Sequence, residues 1–203
     1  MMFLNNPEYV RVDEVEYKIN TDFRVALETN KIAQDKSIGD YERALAIIYK
    51  LFGEEGLNCK NQGKLLELGL KYLSMGEVQK GSKNKPSDKY ELDYSKCKGL
   101  IRSSFKYDYG YDPYELEYLH WYNFSNDLQN LSVSEFGNCC PLNRVAMILH
   151  DDLSKIKDNT ARNKMAETKE MLRKKYCIDV MPKMTREQEE SAKAFYKSIG
   201  IDL

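Results

Sequence analysis

The stretch that most constrains the fold is Asp112-Pro-Tyr-Glu-Leu-Glu-Tyr-Leu-His-Trp-Tyr-Asn-Phe-Ser-Asn-Asp-Leu-Gln-Asn-Leu131. Its start carries three helix signals: Asp112 as N-cap, Pro113 at the first helical position and Glu115 near the positive end of the dipole. At about 100° per residue, Tyr114, Tyr118, Trp121, Phe124, Leu128 and Leu131 gather on one broad side, which Leu116, Leu119 and His120 extend. The spacing predicts one long helix over 112–131, apolar over more than half its circumference and holding the only tryptophan. Such a helix belongs at the centre of a bundle.

The flanking segments supply partners for it. Tyr9 to Ile19 alternates apolar and polar residues around Asp13-Glu14, the pattern of a hairpin that must lean on helices because two strands alone are marginal. Thr21 or Asp22 caps a short helix carrying Phe23, Ala26 and Leu27. Ser37 to Asp40 resembles a capping box for a helix through Tyr41, Leu45, Ile48 and Phe52, with Gly53 placed to end it. A further helix runs from Gln62 to Met75, and the lysine-rich stretch 79–89 reads as an exposed loop.

Asp93 can cap a helix that buries Cys97, Ile101 and Phe105, and Gly110 offers the positive φ that turns the chain toward Asp112. Leu142, Val145, Leu149, Leu153 and Ile156 follow helical spacing. Beyond Lys157 the chain becomes a charged, protruding helix, and Thr185 to Gln188 caps a last amphipathic one ending at Gly200. The expected fold is mainly α with a minor β part: an N-terminal β-hairpin arm over 1–20, a helical core domain over 21–157 and a charged C-terminal helical extension over 158–203.

Composition narrows the function. The 31 basic and 32 acidic side chains leave a net charge of −1, so nothing global draws the chain to nucleic acid or an anionic membrane. No segment approaches the roughly 18 consecutive apolar residues of a membrane span, and the start lacks the basic flank of a signal peptide. The 5 cysteines are scattered and odd in number, as expected of free thiols. A soluble cytoplasmic protein is the expectation.

Catalytic patterns are hard to find. His120 and His150 are the only histidines; His120 sits mid-helix in this reading, without a nucleophile placed beside it. His150-Asp151-Asp152 is a poor ligand set because consecutive helical residues point apart. No phosphate-binding glycine loop, nucleophile elbow or zinc pattern occurs, so neither an enzyme nor a metal or cofactor is expected. The 15 tyrosines say more. Tyr107, Tyr109, Tyr111, Tyr114 and Tyr118 crowd one stretch and are candidate partner-binding residues, since tyrosine joins large contact area to a polar tip. A tyrosine-rich rim of the core is the competing explanation. His120, Trp121, Phe124 and Leu128 are the core-organising candidates.

Four blocks together resemble a known family: Tyr17-Lys-Ile-Asn-Thr-Asp-Phe-Arg24, the helix through Ala46 to Phe52, Ile101-Arg-Ser-Ser-Phe-Lys-Tyr-Asp-Tyr109, and Leu119-His-Trp-Tyr-Asn-Phe124 with Leu128 and Leu131. They resemble the bacteriophage gp-fifteen family of tailed phages and prophages of Gram-positive bacteria. The likeness runs from about Tyr9 to Ile156 and is most specific at His120-Trp121 and Phe124. Tyr122 departs from it, standing where a second tryptophan is usual. The resemblance implies a tail-morphogenesis protein encoded beside the tape measure, acting in the host cytoplasm as a tail assembly chaperone with no catalytic residues. The tape-measure protein is the implied partner, followed by the major tail tube protein and self-association. A structural tail component is the alternative, and a nucleic-acid binder using the basic residues between Lys155 and Lys175 is a second one.

Overall fold

The computed structural model describes residues 6–35, 37–76, 92–133 and 139–178. The loop expected over 79–89 and the helix expected from Thr185 to Gly200 lie outside them.

The alternating N-terminal segment forms strands β1 (Tyr9–Val12) and β2 (Val15–Lys18), antiparallel, with Tyr9 opposite Lys18 and Val12 opposite Val15. Asp13 and Glu14 turn the chain at φ 47° and 68°, the paired positive φ of a two-residue hairpin made here without glycine. Val12 and Ile19 are buried, so the hairpin joins the common core rather than standing alone.

Helix α1 (Phe23–Gln34) is capped by Asp22, whose carboxylate accepts from the Arg24 amide. Helix α2 (Asp40–Leu57) begins after Gly39 without a side-chain cap, because Ser37 bonds Asp35 instead of closing a capping box. Gly53 takes φ 65° as the sequence suggests, but it kinks α2 rather than ending it, and another turn follows. Asn61 caps α3 (Gln62–Leu73).

Asp93 caps a turn over Tyr94–Cys97, and α4 (Lys98–Tyr109) follows and stops at Gly110 in the left-handed conformation. Helix α5 (Trp121–Gln129) is central. Phe124 stacks on Phe23 of α1 with ring centroids 4.3 Å apart and on Phe105 of α4 at 5.4 Å, and Trp121 donates from Nε1 to the Leu73 carbonyl at 3.1 Å. One cluster thereby gathers side chains from the hairpin and from α1 to α6.

Helix α6 (Pro141–His150) ends earlier than its apolar spacing suggests, and Leu153 begins a single 3-10 turn. Helix α7 (Asn159–Tyr176), capped by Asp158, buries none of its residues completely. Its last turn returns to the body: Leu172, Tyr176 and Cys177 meet Val145 and Leu149, and Cys177 bridges Leu92. The architecture is mainly helical with one two-stranded hairpin, as the sequence predicts.

The long helix expected over 112–131 is not there: only Trp121–Gln129 is helical, and 112–120 is an irregular crossing segment. Distant groups explain the difference. Arg24 donates from Nη2 to the carbonyls of Pro113 (3.4 Å) and Leu116 and from Nη1 to that of Glu117 (3.5 Å), oxygens that a helix would otherwise use itself. The Phe23 amide donates to the Leu119 carbonyl at 3.0 Å and the Trp121 amide to that of Thr21 at 2.7 Å. These two bonds form a short antiparallel bridge between Asp22 and His120. Asp112 does cap, but it caps a turn, taking the Tyr114 amide at 3.0 Å. Tertiary hydrogen bonds thus override a local helical pattern.

Candidate partner-binding surface

His120 lies at the N-cap of α5 rather than inside a helix. Its Nδ1 accepts from the Tyr122 amide at 3.0 Å, and Nε2 stands 3.4 Å from the Pro7 carbonyl. That pairing needs the neutral ring protonated at Nε2. Burial accordingly pushes its pKa below the usual histidine range, against the opposing pull of the Pro7 carbonyl and Glu8. Trp121 and Phe124 are buried in the common core and Leu128 is half-buried against it.

The five candidate tyrosines do not form one patch. Tyr109 and Tyr111 stack at 6.2 Å and both donate to Asp127 of α5, Tyr109 to its carbonyl (2.8 Å) and Tyr111 to its carboxylate (2.6 Å). Tyr111 also packs edge-on to Phe105, and burial together with the Asp127 hydrogen bond pushes its hydroxyl pKa up. These two tie the end of α4 and the turn after it to α5. Tyr114 sits edge-on to Phe23 at 5.2 Å with the Lys98 ammonium 4.7 Å from its ring, and burial raises it to about 12. Tyr107 is exposed on α4. Tyr118 leaves the others and reaches Thr21 Oγ1 at 2.7 Å.

Asp112 anchors a charged cluster on the same segment. Arg102 Nε contacts its carboxylate at 2.5 Å, Lys106 Nζ lies at 3.7 Å, and both cations also meet Glu115. Burial alone would raise the Asp112 pKa, but Arg102, the Tyr114 amide and Lys106 outweigh it and hold the carboxyl below its usual range. Every member has a partner, so the cluster fastens the loop.

Tyr118 instead borders a groove of about 850 Å³ between the exit of the hairpin, the kink of α2 and the crossing segment. Apolar contact comes from Ile19, Val25, Tyr49 and Phe52, and charge from Glu8, Lys18 and Glu55 among others. The sequence did not single out these residues for binding. The signal lay in the Tyr17–Arg24 block, which the fold sets directly against Leu119–Phe124.

Among the described residues, no three His, Cys, Asp or Glu side chains gather as a metal site, and no helix is long and apolar enough to cross a membrane. All 5 cysteines are free and buried; burial, with the neighbouring Cys177 adding to it, lifts the Cys97 thiol to about 12.

Comparison with curated proteins and with solved structures finds no match. A protein family does match: the one described as Bacteriophage Gp15 protein, over residues 4–176.

Proposed function

We propose, from the premise that this chain belongs to the bacteriophage Gp15 family, that it is a tail assembly chaperone which binds the tape-measure protein during tail morphogenesis. It works by contact, without catalysis, in the host cytoplasm before the tail is complete. The observation that carries this reading is the set of tyrosines left outward on a well-packed core. Tyr41, Tyr49, Tyr107 and Tyr118 expose between 51% and 71% of their surface while Phe23, Phe105 and Phe124 expose none. Aromatic rings held on a rigid frame give contact area at little entropic cost, which suits repeated weak binding along a long client.

Co-expression with the tape-measure product of the neighbouring gene tests the reading. The client should become soluble and co-purify with this chain; a client that stays equally insoluble, with nothing captured, sinks it. Mass spectrometry of purified virions separates the structural alternative, since a chaperone should be missing from the finished particle.

A further inference from the structure

The groove beside Tyr118 is built for more than a generic apolar contact, and its chemistry specifies its occupant. One wall is the extended stretch Lys18–Asp22 that leaves the hairpin, held to α2 by the Asn20 amide donating to the Leu51 carbonyl at 2.7 Å. The other is α2 from Tyr49 to Glu55, bent at Gly53, where an added methyl group would meet nothing within 4 Å. Tyr49 and Tyr118 stand half-exposed at the rims, with Ile19 and Phe52 buried between. About 850 Å³ lies toward the upper end of the roughly 300–1,000 Å³ of ligand sites, enough for several aliphatic side chains from one face of a helix.

The charges around this space are unevenly spent. Lys50 pairs with Glu28 at 2.6 Å and Asp22 with Arg24 at 2.8 Å. Glu8 and Glu55, both exposed, have no ion pair among the described residues, and of the bases lining the groove only Lys18 is left similarly unpaired. Glu54, also exposed, stands beside Glu55 just past the bend at Gly53. A cation brought to this rim is attracted by these unpaired carboxylates.

We infer that this groove docks a basic amphipathic helix: an aliphatic stripe seats between Tyr49 and Tyr118, and flanking lysines or arginines meet Glu8 and Glu55. The assignment deepens the chaperone reading, and rests on it for the identity of the helix as a client segment. Binding of this kind weakens as salt screens the rim.

Two probe peptides about 15–20 residues long test it, sharing one leucine stripe and differing only in flanks of lysine or of glutamate. Fluorescence anisotropy with the full chain should show the lysine peptide binding at least roughly tenfold more tightly, a difference of about 1.4 kcal/mol. Tyr49→Glu and Glu55→Lys should each reduce that binding about tenfold or more, while Met171→Ala, exposed on α7 outside the groove, should leave it unchanged; circular dichroism checks that the variants stay folded. Equal binding of the two peptides, binding of neither, or wild-type affinity in both groove variants overturns the inference. The two readings fail separately. Client capture that persists in the double variant Tyr49→Glu/Glu55→Lys refutes the groove and spares the chaperone, whereas lysine-peptide binding without any client capture supports the groove and removes the chaperone.

Discussion

Residues 112–120 and 121–129 share one apolar periodicity and have opposite fates. The second run becomes α5 and buries Trp121, Tyr122, Phe124 and Ser125. The first leaves Leu116 and Tyr118 substantially exposed and takes its shape from hydrogen bonds to α1. The two runs show what periodicity can promise. It marks residues able to form a helix, but the backbone follows whichever partners satisfy its polar groups at lower cost. Arg24 offers the first run a set of donors from outside, whereas among the described residues the second receives the Tyr109 hydroxyl alone, on the Asp127 carbonyl in its last turn.

The largest effect should come from the packed half. Phe124→Ala leaves a cavity between Phe23 and Phe105 and should lower stability by about 3–5 kcal/mol in urea titration, enough to threaten folding altogether. Next comes the hydrogen-bonded half. Arg24→Ala removes a charged donor from the carbonyls of the crossing segment and should cost about 2–3 kcal/mol. Amide exchange should then accelerate at Phe23 and Trp121 while helical circular dichroism barely changes. If exchange accelerates uniformly instead, the segment is not independently pinned.

The junction between the two runs responds to pH. His120 titrates below its unfolded value of about 6.5, so its folded form favours the neutral ring. Its contribution is therefore complete above about pH 6.5 and is lost as pH falls through the depressed folded pKa, as the unfolded state takes up the proton first. His120→Ala should cost about 1 kcal/mol at neutral pH through the missing cap. His120→Asn can keep the cap while losing the titration, and its stability curve should be flatter than wild type as pH falls below about 6.5. Asp112, held below its usual range, acts lower down: its contribution is present above about pH 3.9 and disappears as pH falls through its folded pKa. Smallest of all, Tyr107→Ala should shift stability by no more than about 0.5 kcal/mol, since this ring projects from α4 into solvent.

Legibility in the sequence followed the range of the interactions. The hairpin, the cap of α1, α3 and the stop of α4 at Gly110 were readable because caps, alternation and glycine act within a few residues. The role of Arg24 was not, since its carbonyl partners are 89 to 93 residues away and a lone arginine in the first turn of a helix carries no sign of them. Ser37 misled for the opposite reason: a capping-box spelling was present, but Asp35 was closer. Of the tyrosine cluster, sequence proximity suggested one surface. The fold sends Tyr109 and Tyr111 to Asp127, Tyr114 to Phe23 and Tyr118 to Thr21, because the helix stops at Tyr109 and the residues of the irregular stretch after it share no common face.

The bridge between Asp22 and His120 also sets an order of events in synthesis. Phe23 emerges from the ribosome long before Leu119, its backbone partner, and Arg24 precedes Pro113 by 89 residues. At roughly 5–20 residues per second, the hairpin and α1 wait on the order of 5–20 s for the segment that covers them. Through that interval Val12, Ile19 and Phe23 lack the core they will later share with Phe124. Until Phe124 is made these apolar side chains stay uncovered, so truncation anywhere before Phe124 should yield a fragment that sediments as aggregate rather than a smaller folded unit.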